Sequence, residues 1–118
     1  MRYLLLIYSN ETSDQNASEA QQAAVMEEYN TYSRDLGASG AMVAGEALQP
    51  TSTATTVRVR DGKTATTDGP FAETKEQLGG YYLINAKDLN EAIQWAAKLP
   101  GSKWGSVEVR PIWEFPAQ

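Results

Sequence analysis

Three features of this 118-residue sequence predict an α+β fold. Residues 2–8 and 80–86 are apolar on both alternating faces, as strands covered on two sides are. Two other segments, about 18–36 and 89–99, carry apolar residues at helical spacing behind a side-chain cap. Between the two halves, Asp61-Gly62 separates β-favouring runs, which is a hairpin signal. The order is strand–helix–strand, hairpin, strand–helix–strand. That is the pattern of a ferredoxin-like sandwich with an inserted β-hairpin.

In the first strand Tyr3, Leu5 and Ile7 point one way, and Leu4, Leu6 and Tyr8 the other. Residues 9–17 are polar and read as a loop. Ser18 with Gln21 three residues on forms a capping box for the first helix. Val25, Tyr29, Tyr32 and Leu36 give its apolar stripe, and Gly37 offers a stop. Residues 41–48 read as the second strand, ending at Glu46-Ala47-Leu48. The hairpin strands run from Thr55 to Arg60 and from Lys63 to Thr67, with Val57 and Val59 on one face and Arg58 and Arg60 on the other. Residues 68–79 are a loop in which Pro70 fixes φ and Phe71 is expected to anchor in the core. Asp88 caps the second helix, with Glu91 at capping-box spacing. Leu89, Ala92, Ile93 and Ala96 are its expected inner stripe, and Pro100-Gly101 ends it. The last strand runs from Gly105 to Arg110, and Pro111 suits an edge or a strand end.

Two helices cover only one face of such a sheet. Leu4, Leu6 and Tyr8 therefore need another cover, and a second copy of the same sheet is the simplest. This predicts a homodimer.

Composition narrows the chemistry. The length suits a single domain over residues 1–118. With no cysteine and no histidine, thiolate chemistry, imidazole bases and the usual transition-metal ligands are excluded. No metal or cofactor is expected. The net charge of −5 argues against nucleic-acid and anionic-membrane partners. The apolar start is too short for a leader and is followed by polar residues, and no run approaches a membrane span. The cytoplasm is the expected compartment.

Candidate site residues must then be carboxylates, tyrosines or arginines. Asp68, before Gly69-Pro70, can orient a ligand or act as a base, or simply close an Asx turn. Glu46, at a strand end among small residues, is a second acid–base candidate or an ordinary surface acid. Glu73, Lys75 and Glu76 form either a solvated loop face or the wall of a pocket. Arg110 can clamp a carboxylate ligand or pair with an acid such as Glu108. Tyr8, Tyr29 and Tyr32 either line a cleft between helix and sheet or pack in the core. Arg58, Arg60 and Lys63 protect a hairpin edge rather than bind nucleic acid.

Met1-Arg2-Tyr3-Leu4-Leu5-Leu6-Ile7, Gly45-Glu46-Ala47-Leu48, Thr66-Thr67-Asp68-Gly69-Pro70-Phe71 and Gly105-Ser106-Val107-Glu108-Val109-Arg110-Pro111 together resemble the DGPF-domain branch of the YCII-related family. The resemblance covers nearly the whole chain. It implies a dimeric α+β barrel, with Asp68 as the position carried over by motif. The wider family's His–Asp pair does not transfer, because this chain has no histidine. Two functions remain open. One is a protein that binds or converts a small polar molecule in the helix–sheet cleft. The other is a non-catalytic interaction module, for which the resemblance implies a sigma factor and a stress-signalling context.

Overall fold

The computed structural model describes residues 1–116. Its elements are β1 (Arg2–Ser9), α1 (Glu11–Gln15), α2 (Glu19–Ala38), β2 (Met42–Ala47), β3 (Thr55–Arg60), β4 (Lys63–Asp68), β5 (Gln77–Asn85), α3 (Leu89–Lys98) and β6 (Ser106–Pro111). Short 3-10 turns at Thr51–Thr53 and Pro100–Lys103 complete the trace. The protein is an α+β structure. Its main sheet has the order β2-β5-β1-β6 with every neighbouring pair antiparallel, while β3 and β4 form a separate two-stranded ribbon. The main sheet is open, and β2 and β6 are its free edges.

The core lies between one sheet face and helices α2 and α3. Tyr3 and Leu5 of β1, Tyr82 and Ile84 of β5, Tyr32 and Leu36 of α2, and Ala92 and Ala96 of α3 are buried together, with Leu99 beneath them. Each large apolar side chain sealed there contributes about 1.5–3 kcal/mol. The tyrosines enter this core because their hydroxyls find partners. Tyr32 donates to the Trp95 carbonyl at 2.8 Å, and the Tyr82 and Ser33 hydroxyls share a bond of 2.7 Å. On the other sheet face, Leu4, Leu6, Tyr8, Tyr81 and Leu83 are only half-buried. The doubly apolar character of β1 and β5 thus has one face explained within the chain.

Several expectations are corrected. Residues 9–17 contain a short helix: Asn10 caps α1 by accepting from the Ser13 backbone N–H at 2.9 Å. Gly37 does not stop α2, which runs to Ala38; the left-handed turn falls at Gly40, with φ of 80°. In α3 the inward stripe is Ala92, Trp95 and Ala96, followed by Leu99 just past its end, and both Leu89 and Ile93 are exposed. The stripe rotates because Ala92 and Ala96 let the helix lie close on the sheet. Strand β5 begins at Gln77, so the loop is shorter than 68–79. Phe71 does not anchor that loop, being 79% exposed.

The hairpin is as expected. Asp61 and Gly62 have φ of 53° and 73°. Two positive values in a two-residue loop make a type I′ turn, whose twist matches the flanking strands. The ribbon projects from the body. The radius of gyration is 16.4 Å, against roughly 13–14 Å for a compact chain of this length.

Candidate functional site

A cavity of about 590 Å³ lies between α1–α2 and the adjoining strand ends. That volume is within the range of small-molecule sites, roughly 300–1,000 Å³. Its walls are mainly apolar: Ile7, Val25, Met26, Met42, Leu48 and Trp104. Polar groups from Ser9, Asp14, Tyr29, Asn30, Ser33 and Glu46 interrupt them.

Two local devices hold the cavity open. The first is Glu11, whose carboxylate accepts from the Thr51 N–H at 2.8 Å and the Thr51 hydroxyl at 2.7 Å. It pins the chain after β2 to the start of α1. The second is the end of the 68–76 loop. The Lys75 carbonyl accepts from the Asn10 side chain at 3.5 Å, and the Gln77 side-chain oxygen accepts from the Glu11 N–H at 3.0 Å. Helix α1 is only one turn of polar residues, so these tethers fix it where its own packing cannot.

Tyr29 reaches the cavity from the half-buried stripe of α2. A Cβ at residue 101 would stand 2.7 Å from its hydroxyl, so glycine there leaves the space the phenol occupies. Burial pushes the Tyr29 hydroxyl up to about 12, while a hydrogen bond with the Gly101 backbone pulls the other way. Burial raises Tyr32 as well. Both phenols are neutral at pH 7 and serve as hydrogen-bonding groups, not as bases.

Glu46 also lines the cavity. Its backbone pairs opposite Tyr81, alternating with the Gly45–Tyr82 pair that faces α2. The exposed Glu46 carboxylate therefore stands where the free edge of the sheet borders the cavity. The other two acids in the wall are already engaged, Glu11 by Thr51 and Asp14 by the Ser9 hydroxyl. Glu46 is the wall carboxylate without a protein partner among the described residues.

The remaining sequence candidates stand elsewhere. Asp68 ends β4, exposed. The turn after it is held by the Gly69 N–H donating to the Ala54 carbonyl at 2.7 Å and the Thr56 hydroxyl donating to the Gly69 carbonyl at 2.9 Å. No hydrogen bond to the Asp68 carboxylate is formed among the described residues. Glu73 is exposed on the loop, and Glu76 accepts from the Ser106 hydroxyl at 2.8 Å. Arg110 pairs with Glu108, its Nε donating at 2.6 Å. Tyr8 lies on the open sheet face, opposite Ser106 and Leu78. Of the seven candidates, the fold brings Glu46 and Tyr29 to one cavity and disperses the rest. Asp14, Ser9, Ser33 and Trp104 were not anticipated as wall residues. The cap at Asn10 was the available signal for the first of them.

Among the described residues, no group of three or more His, Cys, Asp or Glu could hold a metal ion, and no helix is long and apolar enough to cross a membrane. The fold and cleft define a small α+β protein with a ligand-sized space beside its longest helix. The YCII-related domain model matches residues 1–116, and the chain belongs to that family. It is 39% identical over 114 residues to an uncharacterised protein of Rhizobium meliloti (strain 1021), with 95% of this chain and 92% of the relative covered.

Proposed function

We propose that this chain binds a small molecule with an apolar body and a polar head in the cavity between α1–α2 and the sheet. The observation that carries this is the cavity itself: apolar walls of ligand size with a few convergent polar groups. Met26, Met42 and Trp104 would enclose the body. Tyr29 would hydrogen-bond the head, and Glu46, at the sheet edge, would take or give a proton if the bound molecule is converted. The same reading includes a homodimer. Two ferredoxin-like sheets packed through Leu4, Leu6, Tyr8, Tyr81 and Leu83 would form a dimeric α+β barrel. In that assembly Asp68 would act at the border with the second copy.

A panel of apolar amines, acids and phenols, screened by thermal shift, tests the cavity. Binders should raise the melting temperature of the wild type by several degrees at saturating concentration. Met26→Trp, which fills the cavity from an exposed position on α2, should abolish the rise. Binders that stabilise both proteins equally would place the site elsewhere, and a panel without binders would count against the reading.

An interaction module is the second reading, and one observation favours it. Trp113 and Phe115 stack at 5.4 Å between ring centroids and are 80% and 76% exposed. The Arg2–Glu114 ion pair, at 2.7 Å, holds the segment between them against β1. An exposed aromatic pair of this kind suits a protein surface such as that of a sigma factor.

A further inference from the structure

The cavity between α1–α2 and the strand ends carries charge of one sign. Three carboxylates line it, Glu11, Asp14 and Glu46, and no lysine or arginine does. The chain holds 10 Lys and Arg to 15 Asp and Glu, so composition alone would set about two bases beside three acids. No protein cation offsets these acids. The ion pairs of the described residues join Arg2 to Glu114, Lys103 to Glu28 and Arg110 to Glu108, all away from the three wall acids. Glu11 and Asp14 accept from uncharged donors, the Thr51 N–H and hydroxyl and the Ser9 hydroxyl. Such donors fill lone pairs and leave the charge in place.

Burial separates the charge from the apolar wall. Asp14 and Glu46 are exposed, whereas Ile7, Val25, Tyr29 and Met42 are half-buried and Tyr82 is buried. A ligand that follows this gradient keeps its head near water and its body inside. A charged head then avoids most of the cost of burying an ion. A cleft of one sign with apolar walls concentrates counter-ions and repels ions of its own sign. The field reaches the polar groups of the wall: burial is the main cause that raises the Tyr29 hydroxyl, and the Asp14 charge adds to it. Aromatic rings supply a second attraction for a cation. Trp104 already has the Lys103 ammonium 5.8 Å from its ring centroid, and Lys103, held by Glu28, is not itself a wall residue.

We infer that the molecule taken up in this cavity is a protonated amine with an apolar body. The inference rests on the cavity reading above and deepens it by fixing the charge of the head. A carboxylate head would meet three like charges and no base. An alcohol would gain nothing from the field. A bare metal ion does not suit the wall, because no group of three His, Cys, Asp or Glu among the described residues could hold one. Glu46, without a protein partner, is the acid that receives the ammonium, and Asp14 adds to the field around it.

Isothermal titration calorimetry on the full chain tests this with matched sets of amine, alcohol and carboxylate on phenylethyl, indolylethyl and octyl bodies. Alkyl amines, like the lysine side chain, are protonated at pH 7. For each body that binds, the amine should be tightest, by roughly fivefold over the alcohol, the upper effect of one exposed ion pair. The carboxylate should be weakest. At about 1 M salt, where screening acts over about 3 Å, the amine should lose most of its advantage. Asp14→Asn with Glu46→Gln keeps the shapes and removes two charges, and should bring amine and alcohol to near-equal affinity. A wild type that binds the alcohol or the carboxylate as tightly as the amine would overturn the cationic head and leave the cavity reading standing. So would an amine preference that persists undiminished in the double variant. If no compound binds below about 1 mM, or if Met26→Trp leaves every affinity unchanged, both readings fall, since the first is weaker than an enclosed apolar body should give.

Discussion

The β1–β5 ladder and the β3–β4 ladder are both antiparallel, and different forces specify them. Tyr3 and Leu5 pair with Ile84 and Tyr82, and all four side chains are buried under two helices. Nothing local joins these strands, which lie about seventy residues apart; their register is set by which side chains can reach the core. In β3–β4 nothing is buried. A two-residue turn sets the register, and almost every side chain faces water. One ladder is a consequence of tertiary packing, while the other is a consequence of backbone preference at Asp61 and Gly62. The contrast teaches that strand content alone says little about where stability resides.

Leu5→Ala makes the largest break in this comparison. Leu5 is fully buried at the centre of β1, and removing its side chain leaves a cavity under α2 and α3. The expected loss is about 2–5 kcal/mol, read from urea denaturation. A loss below about 1 kcal/mol would mean the core re-forms around the gap, and that β1 is not its centre.

Gly62→Val should produce the opposite pattern. A β-branched residue resists the positive φ at this position, so the hairpin should open. Hydrogen exchange at the β3 and β4 amides should accelerate. The urea midpoint of the body should barely move, because the ribbon shares no core with it. A cooperative loss of both would show that the two ladders fold as one unit.

The smallest effect is expected at the tail, where Arg2 holds Glu114 beside the Trp113–Phe115 stack. The hydrogen bond from Arg2 keeps the Glu114 carboxyl below its ordinary value, with the Arg2 charge adding to it. A depressed folded value means the pair stabilises above the unfolded carboxyl's titration. That contribution is lost as the pH falls through the lowered folded value. Tail fluorescence should therefore change in acid, below the usual glutamate range, without unfolding the body. Glu114→Gln should remove this change. If the acid response persists in that variant, another group governs it.

Much of the fold could be read from local chemistry. The capping box at Ser18, the Asp88 cap, the stripe from Val25 to Leu36 and the turn at Asp61-Gly62 each involve residues within a few positions of one another. They form where expected. Readings that depended on long-range packing fared less well. Leu89 and Ile93 have helical spacing but lose the inner face to Ala92 and Ala96, which allow closer approach. Phe71 is apolar and lies near rigid residues, yet the loop carries it away from the core. The site was less legible still. Glu46 and Tyr29 meet at one cavity because β2 and α2 are brought together by the whole sheet order. Ser9 and Asp14 join them from the neighbouring β1 and α1 and Trp104 from before β6, and no motif spacing encodes that meeting.

The three tryptophans are distributed so that each belongs to a different compartment. Trp95 lies edge-on to Tyr32 at the core, Trp104 lines the cavity, and Trp113 stacks on Phe115 at the tail. The chain thus carries a built-in set of optical reporters. With two of the three replaced by phenylalanine, the remaining indole would follow folding of the body, filling of the cavity or movement of the tail separately. Ligand entry, unfolding and partner docking could then be told apart in one molecule without attaching a dye.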